Sequence, residues 1–158
     1  MMTTIYLALG SNVGDRESNL ERALEILGSQ LSKIKKAPIY RSRAVGYTNQ
    51  ADFLNTAVEA RTKLTPALLL AFIKQVEQET GRVKRFKWGP REIDIDIIFY
   101  GDQLVKQPGL NIPHKRFAER DFVLRPLLDL NPKLTNPENN LSIKEIYDNL
   151  PASEKSII

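Results

Sequence analysis

Glu92-Ile93-Asp94-Ile95-Asp96-Ile97-Ile98-Phe99-Tyr100 sets Ile93, Ile95, Ile97 and Phe99 on one face of an extended chain and Asp94, Asp96, Ile98 and Tyr100 on the other. A period of two in β-branched and aromatic residues predicts a half-buried strand whose first face packs on a core. Downstream, Gly101-Asp102 is turn chemistry leading to a hairpin partner at Leu104-Val105. Upstream, Thr65-Pro66 opens a helix with Leu68, Leu69, Phe72, Ile73 and Val76 on its buried face and Gly81 as its stop. Before it, Phe53–Arg61 and Ile34–Ser42 read as strands separated by an irregular loop over 43–52. Further upstream, Leu20, Ala23, Leu24, Leu27 and Leu31 form a helical stripe behind Asp15 as its cap, and Thr4–Leu9 is a first buried strand ending in a Gly10-Ser11-Asn12 turn. Shorter helices follow Pro113-His114, including Phe122–Leu130, and Ser142-Ile143-Lys144-Glu145 fits a capping box. The order strand, helix, strand, strand, helix, strand predicts an α+β fold: a ferredoxin-like antiparallel sheet with two helices on one face and additional helices after it. Residues 1–158 read as a single domain.

Composition narrows the function classes. The 158 residues carry 42% apolar and 27% charged side chains, which is globular rather than disordered. Absence of cysteine excludes disulfides, thiolate metal sites and thiol catalysis, and one histidine excludes a histidine-rich zinc site. No run reaches the roughly 20 apolar residues of a membrane helix, and Met1–Ile5 has no leader pattern. A cytoplasmic protein is therefore expected. The net charge of +4 points to anionic partners without choosing among nucleic acid, phosphates and membrane surfaces.

Asp94 and Asp96 share a strand face about 6.5 Å apart, so both carboxylates address one site. They suit hard cations such as Mg²⁺, or else simply face solvent. Directly upstream lie Arg82, Lys84, Arg85, Lys87 and Arg91, with Trp88-Gly89-Pro90 among them. Such a loop fits phosphates held beside a metal or a nucleic-acid patch with a stacking aromatic; the residues alone leave both open. His114, between Pro113 and Lys115-Arg116, suits a phosphate contact or an ordinary surface position. The chain has neither a Walker-type loop nor GxGxxG, so Gly10–Gly14 reads as a strand-to-helix turn.

Taken together, Ala8-Leu9-Gly10-Ser11-Asn12, Tyr40-Arg41-Ser42, Phe53-Leu54-Asn55, Glu77 with Gly81-Arg82, Trp88-Gly89-Pro90-Arg91, Asp94-Ile95-Asp96, Pro113-His114 and Arg120-Asp121-Phe122-Val123-Leu124 resemble the 6-hydroxymethyl-7,8-dihydropterin pyrophosphokinases of folate biosynthesis. The resemblance runs from the first strand to about Pro132. It implies transfer of the β,γ-diphosphate of ATP to the pterin hydroxymethyl group with release of AMP. It also implies two Mg²⁺ ions on Asp94 and Asp96, with Arg82 and Arg91 completing the catalytic set. Glu77, Lys84, Trp88, Ile97, His114, Lys115 and Arg120 would line the ATP side. Ser42, Val45, Phe53, Asn55, Trp88 and Phe122 would hold the pterin, its ring between Phe53 and Phe122. The partners implied are these two small molecules, with no nucleic acid or membrane, and a monomer is expected. Three departures stand out: Ser42-Arg43-Ala44 replaces a frequent Thr-Pro-Pro, Lys84 a frequent Arg, and Asp121 a Gly, which places a negative charge near the Phe122 ring.

Overall fold

The computed structural model describes residues 2–158. β1 (Thr3–Ser11), a nine-residue run of mostly apolar strand formers, lies between β4 (Phe53–Thr62) and β5 (Asp94–Tyr100) and is antiparallel to both. β2 (Ser32–Lys36) pairs with the far edge of β4, giving the order β2-β4-β1-β5, and β3 (Tyr40–Ser42) joins β4 as well. With β2 and β3 counted as one interrupted strand, this is the expected ferredoxin-like antiparallel sheet.

α1 (Arg16–Leu27) begins where the Asp15 carboxylate accepts the Ser18 N–H at 3.1 Å. α2 (Pro66–Thr80) begins where Thr65 Oγ1 accepts the Leu68 N–H, and it ends at Gly81 with φ +108°, a left-handed stop that glycine adopts without a Cβ penalty. Both helices cover one sheet face, where Leu20, Leu27, Leu69 and Ile73 meet Ile5, Leu7, Ile93 and Ile95. Each such fully buried aliphatic side chain contributes about 2 kcal/mol. α3 (Asp121–Leu130) and α4 (Ile143–Asp148) cover part of the opposite face through Val123, Leu124, Leu127 and Ile143, packed on Tyr6, Ala57, Ile98 and Phe99.

Five local expectations change. α1 stops at Leu27, so Leu31 of the helical stripe lies beyond it, and β1 continues through Gly10 and Ser11, which pair with Asn55 and Leu54 instead of forming the turn. The strand expected over 34–42 breaks between Lys36 and Tyr40, because Pro38 has no N–H to add to the ladder. The alternation of β5 ends at Ile97: the register passes from Leu7–Ile97 to Tyr6–Phe99, so Ile98 is the extra residue of a bulge and Phe99 turns to the α3 side. The segment after Gly101 does not return along β5. Gly101 N–H is held by the Thr4 carbonyl, and β6 (Val105–Gln107) pairs instead with β7 (Leu110–Ile112) in a separate ribbon.

Candidate active site

Two rows across the sheet form the floor of a cleft of about 500 Å³. In one, Asp94 on β5 stands opposite Gly10 on β1, which stands opposite Asn55 on β4; in the next, Asp96 stands opposite Ala8, and Ala8 opposite Ala57. Residues directly opposed in an antiparallel pair point to the same face. Asp94, Asp96 and Asn55 therefore look into one space over a floor of glycine and alanine. A methyl group on Gly10 would lie 2.9 Å from Asn55 Oδ1 and 3.4 Å from Phe53 Cδ1, so the close approach needs glycine. Asn55 Nδ2 donates to Ser42 Oγ at 2.6 Å, which fixes β3 to the same floor.

Acidic and basic groups interleave around the carboxylates. Arg91 Nη1 is 3.2 Å from Asp94 Oδ2, and Arg82 Nη1 is 3.7 Å from Asp94 Oδ1 and 2.8 Å from Glu77 Oε2. Glu77 is buried at the end of α2 and also accepts the Ile95 N–H at 2.9 Å. Burial raises its carboxyl above the ordinary range, an effect opposed by the Ile95 N–H and by Arg82. For Asp96, burial first and the like charge of Asp94 second raise the carboxyl well above the ordinary range. About a third of its side chain still meets the open cleft, so the group is shielded by protein yet reachable from solvent.

His114 is driven the other way. Burial, followed by the positive charge of Arg120, pushes its imidazole down to about 4. Its Nδ1 accepts the Arg116 N–H at 3.1 Å, so the neutral ring carries its proton on Nε2, 3.9 Å from Asp96 Oδ2. That distance is too long for a hydrogen bond, and the neutral imidazole forms no ion pair. Burial also lowers Arg120 from its ordinary value, although Asp96 and Asp94 oppose the shift.

A divalent cation fits this arrangement. At Asp96 the charges of Arg120 and Arg91 do not offset burial and the like charge of Asp94, which leaves room for a further cation. Among the described residues no group of three or more His, Asp or Glu side chains gathers into a cage. The chain would supply two carboxylates and leave the other positions to phosphate oxygens and water, the usual manner of Mg²⁺ binding.

Two loops roof the cleft and lock to each other through Asn12. Asn12 Nδ2 donates to Gln50 Oε1 at 2.8 Å and to the Ala51 carbonyl at 2.9 Å, while its Oδ1 accepts the Arg91 N–H at 2.8 Å and its own N–H meets the Arg91 carbonyl. Gln50 Nε2 then reaches the Trp88 carbonyl at 2.8 Å. Trp88 has φ +65°, a costly conformation for a bulky residue, offset by the Arg116 guanidinium 4.9 Å from its ring and by the flat surface of Gly46. A methyl group on Gly46 would stand 1.9 Å from Trp88 Cε3, and the φ of +85° there disfavours any side chain. Gly46→Ala is expected to shift the fluorescence of this single tryptophan to the red in the ligand-free protein, and to lower kcat/KM about tenfold by loosening the roof. Unchanged emission with unchanged kcat/KM would show that the contact does not hold the roof.

Of the residues singled out from sequence, Asp94, Asp96, Arg82, Arg91, Glu77, Trp88, Ile97, His114, Lys115 and Arg120 all line the cleft. So do Ser42, Val45, Phe53, Asn55 and Phe122. Lys84 is the exception: it is exposed on the basic loop and does not border the cleft. In that loop Arg85 is tied to Glu92 by two 2.7 Å hydrogen bonds, holding the Glu92 carboxyl down at about 2. The structure adds Asn12, Gln50 and Arg116, whose contacts span loops and give no periodic signal.

A family model described as 7,8-dihydro-6-hydroxymethylpterin-pyrophosphokinase matches residues 6–132. Over 144 residues the chain is 47% identical to the 2-amino-4-hydroxy-6-hydroxymethyldihydropteridine pyrophosphokinase of Aquifex aeolicus, covering 91% of this chain and 90% of that protein. The protein of the same description from Bacillus subtilis is 42% identical over 132 residues, covering 82% and 79%. Some relatives are longer: the bifunctional protein FolKE of Lactococcus lactis subsp. cremoris is 44% identical over 131 residues, and the match spans 38% of it. Among solved structures, Plasmodium falciparum HPPK-DHPS with pterin and p-hydroxybenzoate aligns with a TM-score of 0.74 at 18% identity, covering 94% of this chain and 42% of that one. At that identity the likeness is one of fold.

Proposed function

This chain belongs to the 7,8-dihydro-6-hydroxymethylpterin-pyrophosphokinase family, and from that premise we propose how its cleft carries out the reaction. The reaction transfers a diphosphate from ATP to the hydroxymethyl group of 6-hydroxymethyl-7,8-dihydropterin in folate synthesis. The hydroxymethyl oxygen attacks the β-phosphorus, the bond from that phosphorus to the α–β bridging oxygen breaks, AMP departs, and the hydroxyl proton is lost to solvent.

The observation that carries this reading is a pair of carboxylates on one strand face, ringed by Arg82, Arg91, Arg120 and His114 and set beside Asn55 and Phe53 in the same cleft. Asp94 and Asp96 would hold two Mg²⁺ ions, which when bound neutralise phosphate charge and polarise the phosphorus. Arg82 and Arg91 bind and orient the triphosphate, each through guanidinium N–H groups not spent on Glu77 or Asp94. His114 donates its Nε2 proton to a phosphate oxygen as a neutral hydrogen-bond donor, and Lys115 and Arg120 add positive charge. Glu77 holds Arg82, and Ile97 with Trp88 gives apolar surface for the nucleotide. Phe53 and Phe122 stack on the pterin ring, Asn55 and the backbone near Ser42 and Val45 read its polar edge, and Trp88 closes over it. The two loops exclude water, so that diphosphate passes to the pterin and not to solvent.

The reading is of a single domain acting as a monomer in a cytoplasmic setting, where ATP is available. No helix among the described residues is long and apolar enough to cross a membrane. The test is AMP formation from ATP by the purified protein. AMP is expected only when both the reduced pterin and Mg²⁺ are present. AMP released without the pterin would overturn the reading in favour of a simple hydrolase.

A further inference from the structure

Asp121 opens α3 next to Phe122, where the sequence places a negative charge near the aromatic ring. In the structure Asp121 is 3% exposed and its carboxylate is hydrogen-bonded by another part of the chain. Oδ2 accepts the N–H groups of Ser156 at 2.8 Å and Ile157 at 2.9 Å, and Oδ1 accepts the Ser156 hydroxyl at 2.8 Å. An aspartate in the first turn of a helix is favourable when it simply faces solvent. Burying it costs solvation that only full hydrogen bonding offsets, so this arrangement serves the segment it holds.

That segment, Lys155–Ile158, is laid along the free edge of β3. The Arg43 N–H donates to the Ser156 carbonyl and the Ile158 N–H to the Arg41 carbonyl, both at 2.9 Å, with Ser42 and Ile157 as bridge partners. Arg43 Nη2 also donates to the Lys155 carbonyl at 3.1 Å. The other edge of β3 pairs Ser42 with Phe53 and Tyr40 with Asn55 on β4. One carboxylate thus ties the start of α3, which carries Phe122, to the ladder that carries Ser42, Phe53 and Asn55.

We propose that Asp121 is a positioning residue of the pterin half of the site: with α3 packed on Ala57 of β4, it fixes Phe122 relative to Ser42, Phe53 and Asn55 by clamping Ser156 and Ile157 along β3. The inference rests on the assignment of those four residues to the pterin. Binding of a flat ring between two aromatics depends on their spacing, and a displacement of about 1 Å is enough to weaken it severely. Of the groups assigned to the triphosphate, only Arg120, the residue before Asp121, adjoins this staple; those on β5 and the basic loop do not pass through it.

The test measures KM for the pterin, KM for ATP and kcat in Asp121→Ala, Asp121→Asn, Ser156→Ala and, as a control on the assignment, Phe122→Ala. Asp121→Ala is expected to raise the pterin KM about tenfold or more, with a much smaller change in the ATP KM through the neighbouring Arg120. Asp121→Asn, which can still accept both amides, is expected to recover most of the loss. Ser156→Ala removes one hydrogen bond and is expected to raise the pterin KM about threefold, so the test survives if Asp121→Ala fails to fold. If Phe122→Ala raises the pterin KM while neither Asp121→Ala nor Ser156→Ala does, the positioning role is wrong and the pterin assignment stands. An equal rise in both KM values would also overturn it, because a general structural role would act on both substrates. An unchanged pterin KM in Phe122→Ala would overturn the assignment itself.

Discussion

Asp96→Ala lowers kcat for AMP formation by about 10³-fold or more, an expectation set by the loss of a metal-holding, charge-organising group at the reacting phosphates. The fold survives the change. Asp96 faces the cleft above Ala8, outside both apolar clusters, and its burial together with Asp94 makes the ionised form unfavourable in the folded protein. A carboxyl raised in the folded state stabilises below its ordinary value of 3.8 and loses that contribution as the pH rises through the raised value. His114 has the opposite sign: pushed down to about 4, it stabilises above 6.5 and loses that contribution as the pH falls. Without Mg²⁺ the two slopes oppose each other in the wild-type protein, and Asp96→Ala removes the Asp96 share, leaving the histidine slope opposed within the site by the raised Glu77. Thermal unfolding without metal is therefore expected to show the variant at least as stable as wild type near pH 7, and losing stability toward about pH 4.5. Full activity in Asp96→Ala would remove the carboxylate-held metal from the mechanism.

Arg82→Ala carries the second large effect, and it acts on both folding and reaction. Glu77 is 4% exposed and is held by the Arg82 guanidinium at 2.8 Å and the Ile95 N–H at 2.9 Å. Removing the cation leaves a buried carboxylate with one backbone partner, at a cost of about 2–3 kcal/mol in stability. The figure lies at the low end for broken buried pairs because Arg82 is 29% exposed and water can replace part of it. Activity falls about 100-fold from loss of a phosphate-orienting group. Arg82→Ala combined with Glu77→Gln separates the two effects: chemical denaturation is expected to recover most of the stability, with activity still low. Recovery of activity along with stability would mean that Arg82 serves only as a scaffold for Glu77. No recovery of stability would mean that Glu77 is not what the arginine stabilises.

The chemistry-bearing residues were legible because their signals are local. Asp94 and Asp96 are two apart on a strand, so their shared face follows from backbone geometry, and Arg82 and Arg91 lie in a charge run next to them. Lys84 belonged to the same run but is directed to solvent, which spacing in an irregular loop does not decide. Asn12 was visible as a turn residue and as part of a motif, but its role between the loops was not, since the residues it joins, Gln50 and Arg91, are far away in sequence. Asp121 was read as a charge beside a ring, because nothing near it in the sequence indicates that Ser156 and Ile157 consume its carboxylate.

Sequence alone determined the helix behind Asp15, though not its end at Leu27, the helix at 66–80, the long strands and the acidic pair, because caps, apolar periodicity and side-chain alternation act over a few residues. Tertiary structure decided the bulge at Ile98, the pairing of β6 with β7, the break at Pro38, the interlocked loops and the placement of 155–158 against β3. Each of these depends on which distant backbone edge supplies a hydrogen-bond partner or which face finds a core, and that choice is made only when the whole sheet assembles.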